Sequence, residues 1–482
     1  MRRSLVLSFL LVTAGVFGQN SPSAARQIAT PPSSPLFAPT DRDAVMAYWS
    51  QPDRYTVTIP DNAMDKGLWQ VRLTVEGSTW LWNYNKVRKV SAPPTADAAP
   101  ANDEQKGWEA WVAARIARDR WDAWKEATAS NQRVLGKALP AIDPATPSVE
   151  PPMPGPIPAG LLALAGDPPK FARSVVPMQH QVKFDDDSIV YQDNFRIWNQ
   201  RYPFYRYAQG VASGGTAVKT LPSDRLDHLF RLAGVNDTEC HVMRAVSMLE
   251  GGFDSINTYD TGFVSVGFIQ FACLKEGTGS LGGMLLGYKT TDPDQYQKDF
   301  RAFGIDVTPT GALAAIDPTT GGELYGADAA QRIIEDKRLI AVFQRAGHKS
   351  DPFVAAQIRS AKQMFYPADD TVTVTLDGGS VLTGKVSDIV KSEAGMATLM
   401  DRKVNTGNIT MLTSVVSQIA TQTHPESFAD LAKYEYEIVD KMRYRTNYLA
   451  DASLSQPAPN SRSYSRTSRG AQNRRGRKTS GG

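Results

Sequence analysis

The chain has 482 residues, which is too long for one ordinary domain and indicates two or three folded units joined by linkers. Hydrophobic residues make up 41% and charged residues 21%, a composition that excludes wholesale disorder. The net charge of +3 comes from the chain ends: without residues 1–18 and 461–482, 44 basic residues face 50 acidic ones. The folded part is therefore acidic, and we expect no nucleic-acid partner for it.

The N-terminus is typical of a secretory signal peptide. Arg2 and Arg3 precede an apolar stretch over residues 4–17 that is too short to span a membrane comfortably, and small residues follow. We predict that residues 1–18 are removed and that the protein is secreted or periplasmic; an uncleaved anchor is the alternative. No later segment is apolar enough to cross a membrane. Residues 19–40 are rich in Ser, Pro and Ala, so we expect them to be disordered.

Residues 41–137 are predicted to form a small β/α unit rich in tryptophan. Alternating patterns at 54–59, 69–75 and 79–84 predict a β-meander or hairpin. A helix is predicted over 103–136, capped by the aspartate at its first position. Because a small unit needs large side chains to bury enough area, we interpret the tryptophans as core; a carbohydrate-stacking platform is the alternative.

The rest of the chain divides into a linker, a large domain and a tail. Residues 138–170 are rich in proline and are predicted to be stiff and extended. Residues 171–452 form a mostly helical domain of the α+β class, with a strand at 263–271 and a later hairpin. Its helical patterns cover 223–233, 238–250, 327–346, 352–365, 392–402, 409–422 and 425–450. The hairpin strands are 371–376 and 381–386, and residues 453–482 are a basic tail expected to be disordered.

The most informative stretch is an apolar helix that is predicted to end at Glu250. Gly251 and Gly252 follow, and glycine ends helices because it accepts the left-handed conformation. A carboxylate is disfavoured at a helix C-terminus by the backbone dipole, and apolar surroundings act in the same direction. A carboxyl group held protonated in this way suits a general acid. The alternative is a frayed helix end with Glu250 in water.

A polar segment and a Tyr259-Asp-Thr-Gly turn follow this helix, and then comes the predicted strand, which contains Gly267-Phe-Ile-Gln. A helix ending in Glu followed by a short β-excursion with a Gly-apolar-apolar-Gln element resembles the lysozyme-like superfamily. The similarity is closest to goose-type lysozymes, lytic transglycosylases and chitosanases. It covers about residues 234–450, with softer matches at 392–405 and 441–449.

The resemblance implies a lysozyme-like catalytic domain in which Glu250 is the catalytic acid. It also implies that Gln270, Tyr259 and Asn257 bind the sugar. Asp260 has a position similar to the base-bearing turn of the goose-type and chitosanase relatives.

The second carboxylate is open to more than one interpretation. In an inverting glycosidase a base carboxylate lies about 6.5–9.5 Å from the acid, with a water between them. Asp260 is the main candidate, but it is equally explained as a turn residue, and a lytic transglycosylase uses the substrate's own hydroxyl instead of a base. Asp254 is expected to be structural. For Asp401 and Asn405 a helix-end hydrogen-bonding role is favoured over a place in the cleft.

The sequence predicts no metal and no cofactor. The five histidines lack ligand spacing, and the motifs of serine hydrolases, phosphate loops and dinucleotide sites are absent. The two cysteines, Cys240 and Cys273, are equally well explained as a disulfide or as two buried thiols.

Taken together, these features predict a secreted glycosidase that acts on peptidoglycan or a related amino-sugar polymer. Muramidase, lytic transglycosylase and chitosanase activities remain open. A competing interpretation is a non-catalytic protein that binds cell wall or glycan on a lysozyme-like scaffold. The basic tail is expected either to bind an anionic cell-surface polymer or to serve only as a solubilising extension.

Overall fold

The computed structural model describes residues 32–58, 70–87, 102–135, 149–175, 178–192, 210–248, 251–260, 262–376 and 379–458. Two compact units can be recognised. The first unit comprises the chain up to Leu229 together with Leu249–Ser360, and the second comprises Phe230–Met248 together with the chain from Ala361. The predicted signal peptide lies outside the described residues.

Helices predominate, and the strands form small antiparallel sheets. The helices are α1 (Pro39–Trp49), α2 (Val75–Val87), α3 (Asp103–Leu135), α4 (Ala159–Ala165), α5 (Ser223–Leu232), α6 (Asp237–Ser247), α7 (Gly279–Thr291), α8 (Pro293–Asp299), α9 (Ala327–Glu335), α10 (Lys337–Lys349), α11 (Asp351–Phe365), α12 (Val386–Ile389), α13 (Glu393–Thr406), α14 (Met411–Thr423) and α15 (Glu435–Met442). The strands are β1 (Tyr55–Thr58), β2 (Gln70–Leu73), β3 (Ala172–Val175), β4 (Gln179–Lys183), β5 (Ser188–Gln192), β6 (Ala212–Ser213), β7 (Ile256–Asn257), β8 (Ser265–Val266), β9 (Phe271–Ala272), β10 (Ile305–Val307), β11 (Leu313–Ile316), β12 (Glu323–Tyr325), β13 (Thr371–Thr375) and β14 (Val381–Lys385). This mixture confirms the α+β class in general terms.

The sheets have the strand orders β1-β4-β5, β2-β3, β6-β7-β8-β9, β10-β11-β12 and β13-β14. The first four belong to the first unit and the last to the second unit. None of the described helices is long and apolar enough to cross a membrane.

The predicted β-meander in the N-terminal part is wrong. The strand expected at 79–84 is part of helix α2, in which Trp80, Leu81 and Tyr84 are buried together. Thr74 caps the N-terminus of this helix, because its hydroxyl accepts a hydrogen bond from the backbone N–H of Gly77 at 2.9 Å. The other two predicted strands exist, but β1 pairs with β4 and β2 pairs with β3, so each finds its partner more than 90 residues away.

Helix α3 confirms the long predicted helix but not its cap. The side chain of Asn102 accepts a hydrogen bond from Gln105 N at 2.8 Å, so the cap is one residue earlier than the predicted Asp103. Trp80 and Trp121 are buried, and Trp108 and Trp111 pack against the same cluster as Trp80. These four residues agree with the interpretation of the tryptophans as core.

The proline-rich stretch packs against helix α3, although we predicted that it would be an unpacked spacer. Trp111 Nε1 donates a hydrogen bond to Gly155 O at 2.8 Å, and Arg118 donates one to Pro151 O at 3.1 Å. Leu161 of α4 is completely buried. The described part of this stretch, residues 149–170, is therefore packed, and the compact units do not separate at the boundary predicted after residue 170.

The prediction of disorder for residues 19–40 is wrong for residues 32–40. Phe37 is buried, and the backbone N–H groups of Leu36 and Phe37 donate hydrogen bonds to the carboxylate of Glu323 at 2.9 and 3.2 Å. The partner carboxylate lies almost 300 residues away, so the composition of the segment alone carried no signal for this contact.

The first residues of the predicted tail are also ordered. Leu454 is buried, and Ser455 exchanges two hydrogen bonds with Glu393 at the start of α13, at 2.8 and 2.9 Å. The tail boundary at residue 453 is therefore too early. Residues 459–482, which hold the run of arginines, lie outside the described residues.

The helices predicted from 223 onward are present with altered bounds. The long pattern at 327–346 is two helices, because Asp336 stops α9 and caps α10 by accepting a hydrogen bond from Arg338 N at 3.1 Å. The pattern at 425–450 breaks into 3₁₀ turns around α15. The hairpin β13-β14 is confirmed. The sequence patterns did not indicate α1, α7, α8 or the sheet β10-β11-β12.

Candidate functional site

Helix α6 begins with a complete capping box and ends earlier than predicted. Asn236 accepts a hydrogen bond from Glu239 N at 2.9 Å, and Glu239 accepts one from Asn236 N at 3.0 Å. The helix ends at Ser247, three residues before the predicted end. Glu250 lies outside the described residues, so its role as the acid stays a prediction.

The two glycines that follow Glu250 are required by close backbone packing. Gly251 has a φ of 156°, and a Cβ on Gly252 would lie 2.0 Å from Thr216 O. No other residue can occupy position 252 without displacing the segment beside it. The backbone conformation at 251 and the close packing at 252 therefore both favour glycine.

The predicted strand at 263–271 is wrong, because the chain folds into two short strands joined by a turn. Val266 of β8 pairs with Phe271 of β9, and Gln270 N donates a hydrogen bond to Gly267 O at 3.0 Å. Gly267 and Gln270 have φ angles of 83° and 57°, which reverse the chain. The alternating sequence had suggested one continuous strand with two faces, but the turn interrupts the alternation of side chains between those faces.

An amide network joins the predicted sugar-binding residues Gln270 and Asn257. Asn257 Nδ2 donates to Gln270 Oε1 at 2.6 Å. Gln270 Nε2 in turn donates to Ser255 Oγ at 2.7 Å and to Gly267 O at 2.9 Å, and Ser255 Oγ donates to the same carbonyl at 2.9 Å. Asn257 is buried and Gln270 is half-buried. The network fixes the orientation of the Gln270 amide, and both of its N–H groups are used.

Asp260 stabilises the turn that it begins. Its Oδ1 accepts a hydrogen bond from Gly262 N at 2.9 Å, and its backbone carbonyl accepts one from Phe263 N at 3.1 Å. This is an Asx-type turn, the structural role that the sequence left open. Only 1% of Asp260 is exposed. Direct access of water or substrate to its carboxylate would require the turn to move.

Tyr259 belongs to the hydrophobic core of the first unit. It is 4% exposed and packs in one cluster with Trp80, Tyr84 and Leu161. In this structure its ring is not on a surface that a sugar can reach.

Backbone strain concentrates beside this network. Among the described residues other than glycine, five have positive φ, and three of them are Phe263, Gln270 and Leu274, at 57–63°. Bulky residues adopt this conformation at a cost and need surrounding contacts to hold it. Because such strain clusters at functional sites, it marks residues 260–274 as the candidate site.

Gln357 of helix α11 also belongs to this site, although no sequence pattern indicated it. It is completely buried, and its Nε2 donates to Phe253 O at 2.9 Å while its Oε1 accepts from Phe268 N at 3.4 Å. Local periodicity would place it with the core residues of α11, and only the long-range contact reveals its partners.

The remaining sequence candidates have structural roles. Asp254 accepts hydrogen bonds from Thr216 N and Oγ1 at 2.7 and 3.1 Å, which agrees with the structural role expected for it. In the second unit, Asp401 is buried, pairs with Arg445 and accepts a hydrogen bond from Asn405 Nδ2 at 3.2 Å. This arrangement fits the helix-end role that the sequence favoured.

The cysteines are buried thiols that do not form a disulfide with each other. Burial raises the pKa of the Cys273 thiol to about 12, so it does not supply a thiolate near neutral pH. Within the described ranges, no group of three His, Cys, Asp or Glu side chains could hold a metal ion.

Comparisons with protein-family profiles, with curated proteins and with solved structures give no match for this chain.

Proposed function

We propose that this protein is a secreted glycosidase of lysozyme-like type that cleaves peptidoglycan or a related amino-sugar polymer, with Glu250 as the general acid. The observation that carries the proposal is the strained, hydrogen-bonded turn system over residues 251–274, which directly follows Glu250 in the chain. A helix that leads into such a β-excursion is the arrangement that the sequence resemblance implies. Gln270 is half-buried and its amide orientation is fixed; because both of its N–H groups are used, its Oε1 is the atom that would accept a hydrogen bond from a sugar hydroxyl.

The burial of Asp260 favours a route without a base. A hydrolytic base must activate a water between itself and the sugar, but the carboxylate of Asp260 is buried and stabilises its own turn. We therefore propose the lytic transglycosylase reaction. Glu250 protonates the glycosidic oxygen as the bond from that oxygen to the anomeric carbon breaks. A hydroxyl of the same sugar then forms a bond to the anomeric carbon and gives its proton to the Glu250 carboxylate. The product is lighter than the hydrolysis product by one water molecule, so mass spectrometry of digested peptidoglycan, chitin and chitosan tests both substrate and route.

Replacing Asp260 by asparagine is expected to leave glycan cleavage within a few-fold of the wild-type rate. Asparagine retains the oxygen that accepts from Gly262 N, so the turn should persist. The rate of product release from peptidoglycan, measured on both proteins, checks this. A loss in the ~10²–10⁴-fold range typical of a general acid or base would instead assign Asp260 the base role and a hydrolytic route.

A binding protein without turnover is the second candidate. The burial of Tyr259, Asp260 and Asn257 favours it, because three of the five predicted site residues expose little surface to a reacting substrate. It predicts that the protein sediments with insoluble peptidoglycan but releases no soluble fragments. Sedimentation and fragment release measured on the same samples separate the two candidates.

Deleting residues 459–482 is expected to reduce retention on cell walls at low salt and to have no effect at high salt. Residues 461–482 carry six Arg and one Lys and no acidic residue, and salt screens such charges beyond about 10 Å at 0.1 M. The deletion begins after Ala458 because Leu454 and Ser455 pack against the second unit. A chain of full length with these seven residues replaced by serine is the control, and equal retention by all three proteins at low salt would contradict the prediction.

A further inference from the structure

The buried amide of Gln357, on helix α11, contacts the turn that holds Gln270. Gln357 is completely buried, yet it carries a polar amide into the core of the first unit. Buried polar groups are retained when they satisfy other buried polar groups. Here the satisfied groups are the carbonyl of Phe253, in the segment that precedes the candidate site, and the N–H of Phe268, in the segment that forms it.

The approach of Gln357 depends on Gly267. A Cβ at position 267 would lie 2.1 Å from Gln357 Oε1 and 2.8 Å from its Cδ, so only glycine leaves room for the amide. Gly267 also has a φ of 83°, which side chains rarely adopt. The glycine therefore serves both the reversal of the chain and the contact with α11.

The same turn holds Gln270 on its other side. Gly267 O accepts hydrogen bonds from both Gln270 Nε2 and Ser255 Oγ, each at 2.9 Å, and Gly267 N donates to Ser255 O at 2.9 Å. A shift of the peptide between Gly267 and Phe268 would therefore move the acceptor to which the Gln270 amide is bound. The aromatic rings of Phe253 and Phe268, whose centroids are 5.0 Å apart, also pack between these two segments.

We propose that Gln357 is a positioning residue that fixes the Gly267–Gln270 turn and, through it, the amide of Gln270. The role of Gln270 toward glycan rests on the proposed function, but the positioning itself does not. Gln357 makes no contact with substrate in this arrangement. It acts by holding the carbonyl that orients the half-buried amide.

The first test is hydrogen exchange in Gln357→Met, which keeps the length of the side chain and removes both hydrogen bonds. Backbone exchange in peptides covering 264–272 is expected to accelerate by about tenfold or more, the size expected when a buried hydrogen bond is lost. Tyr191→Phe is the matched control, because it removes one buried hydrogen bond, to Lys337 O at 2.5 Å, in another sheet of the first unit. Equal exchange at 264–272 in both variants would overturn the proposal.

The second test is a double-mutant cycle on glycan cleavage with Gln270→Ala, Gln357→Met and both together. If Gln357 acts through Gln270, the double variant should be no slower than Gln270→Ala alone. Additive losses would show that Gln357 acts on cleavage by another path and would contradict this assignment. The Tyr191→Phe control should keep the wild-type rate.

The two hypotheses fail in different ways. A wild-type protein that cleaves none of the glycans rejects the proposed function, while the exchange experiment still decides whether Gln357 positions the turn. If Gln357→Met does not fold, Gln357→Asn replaces it, since asparagine keeps an amide but withdraws it by one methylene from both partners. The same acceleration at 264–272 is then expected.

Discussion

Replacing Glu250 by glutamine is expected to lower the rate of glycan cleavage by at least ~10²–10⁴-fold, the usual contribution of general acid catalysis. Glutamine has nearly the same shape as glutamate, so the fold and the binding of glycan should persist. It cannot give a proton to the departing sugar oxygen, so bond cleavage should slow while sedimentation with peptidoglycan stays unchanged. The release of soluble fragments, compared with sedimentation on the same samples, checks both expectations.

Glu335→Gln is the matched control for this variant. Glu335, the last residue of α9, is an exposed glutamate outside the candidate site. We expect it to keep the wild-type cleavage rate. A folded Glu250→Gln protein with near-wild-type activity would remove Glu250 from the acid role, and a wild-type protein that binds but never cleaves would favour the binding-protein candidate.

Replacing Asp306 by asparagine is expected to lower the free energy of unfolding by about 3 kcal/mol, as is typical when one partner of a buried ion pair is removed. Asp306 is completely buried and pairs with both Lys289, at 2.6 Å, and Arg301. Arg301 also binds Asp41 and the carbonyl of Leu36, so this carboxylate helps to fasten the N-terminal segment to the first unit. Urea unfolding followed by tryptophan fluorescence measures the change.

Asp369→Asn provides the comparison for that experiment. Asp369 pairs with Lys385 at 2.8 Å, but both side chains are largely exposed, and surface pairs contribute little because solvent screens them. We expect no measurable change in unfolding. If Asp306→Asn were equally silent, the ion pairs of Asp306 would not contribute to stability.

Several features could be predicted from local sequence because their causes are local. The hairpin β13-β14 pairs two alternating strands that lie only a few residues apart in the chain, so its cause is local. The capping box of Asn236 and Glu239 was not among the predictions, but it is equally local, because the two residues are three apart. Helix α3 follows from a long amphipathic pattern. The structural role of Asp254 could be expected for a similar reason, since a short acidic side chain readily accepts backbone hydrogen bonds.

The site could be predicted only in part. The residues from Glu250 to Gln270 were identified by order and type, and Asn257 and Gln270 indeed share a hydrogen bond. The predicted continuous strand was wrong because alternation cannot reveal that Gly267 and Gln270 reverse the chain. Gln357 was missed because its partners lie about 90 and 104 residues away.

The sequence by itself therefore determined the helical segments with periodic apolar faces, the later hairpin and the region that holds the candidate site. Only the tertiary structure decided that 79–84 is helical, that the proline-rich segment packs on α3, and that Asp260 and Tyr259 are buried. The physical reason is the distance along the chain over which each cause acts. Periodicity and capping involve neighbours within about one or two helical turns, whereas strand partners, buried amides and ion pairs form between segments that only the folded chain brings together.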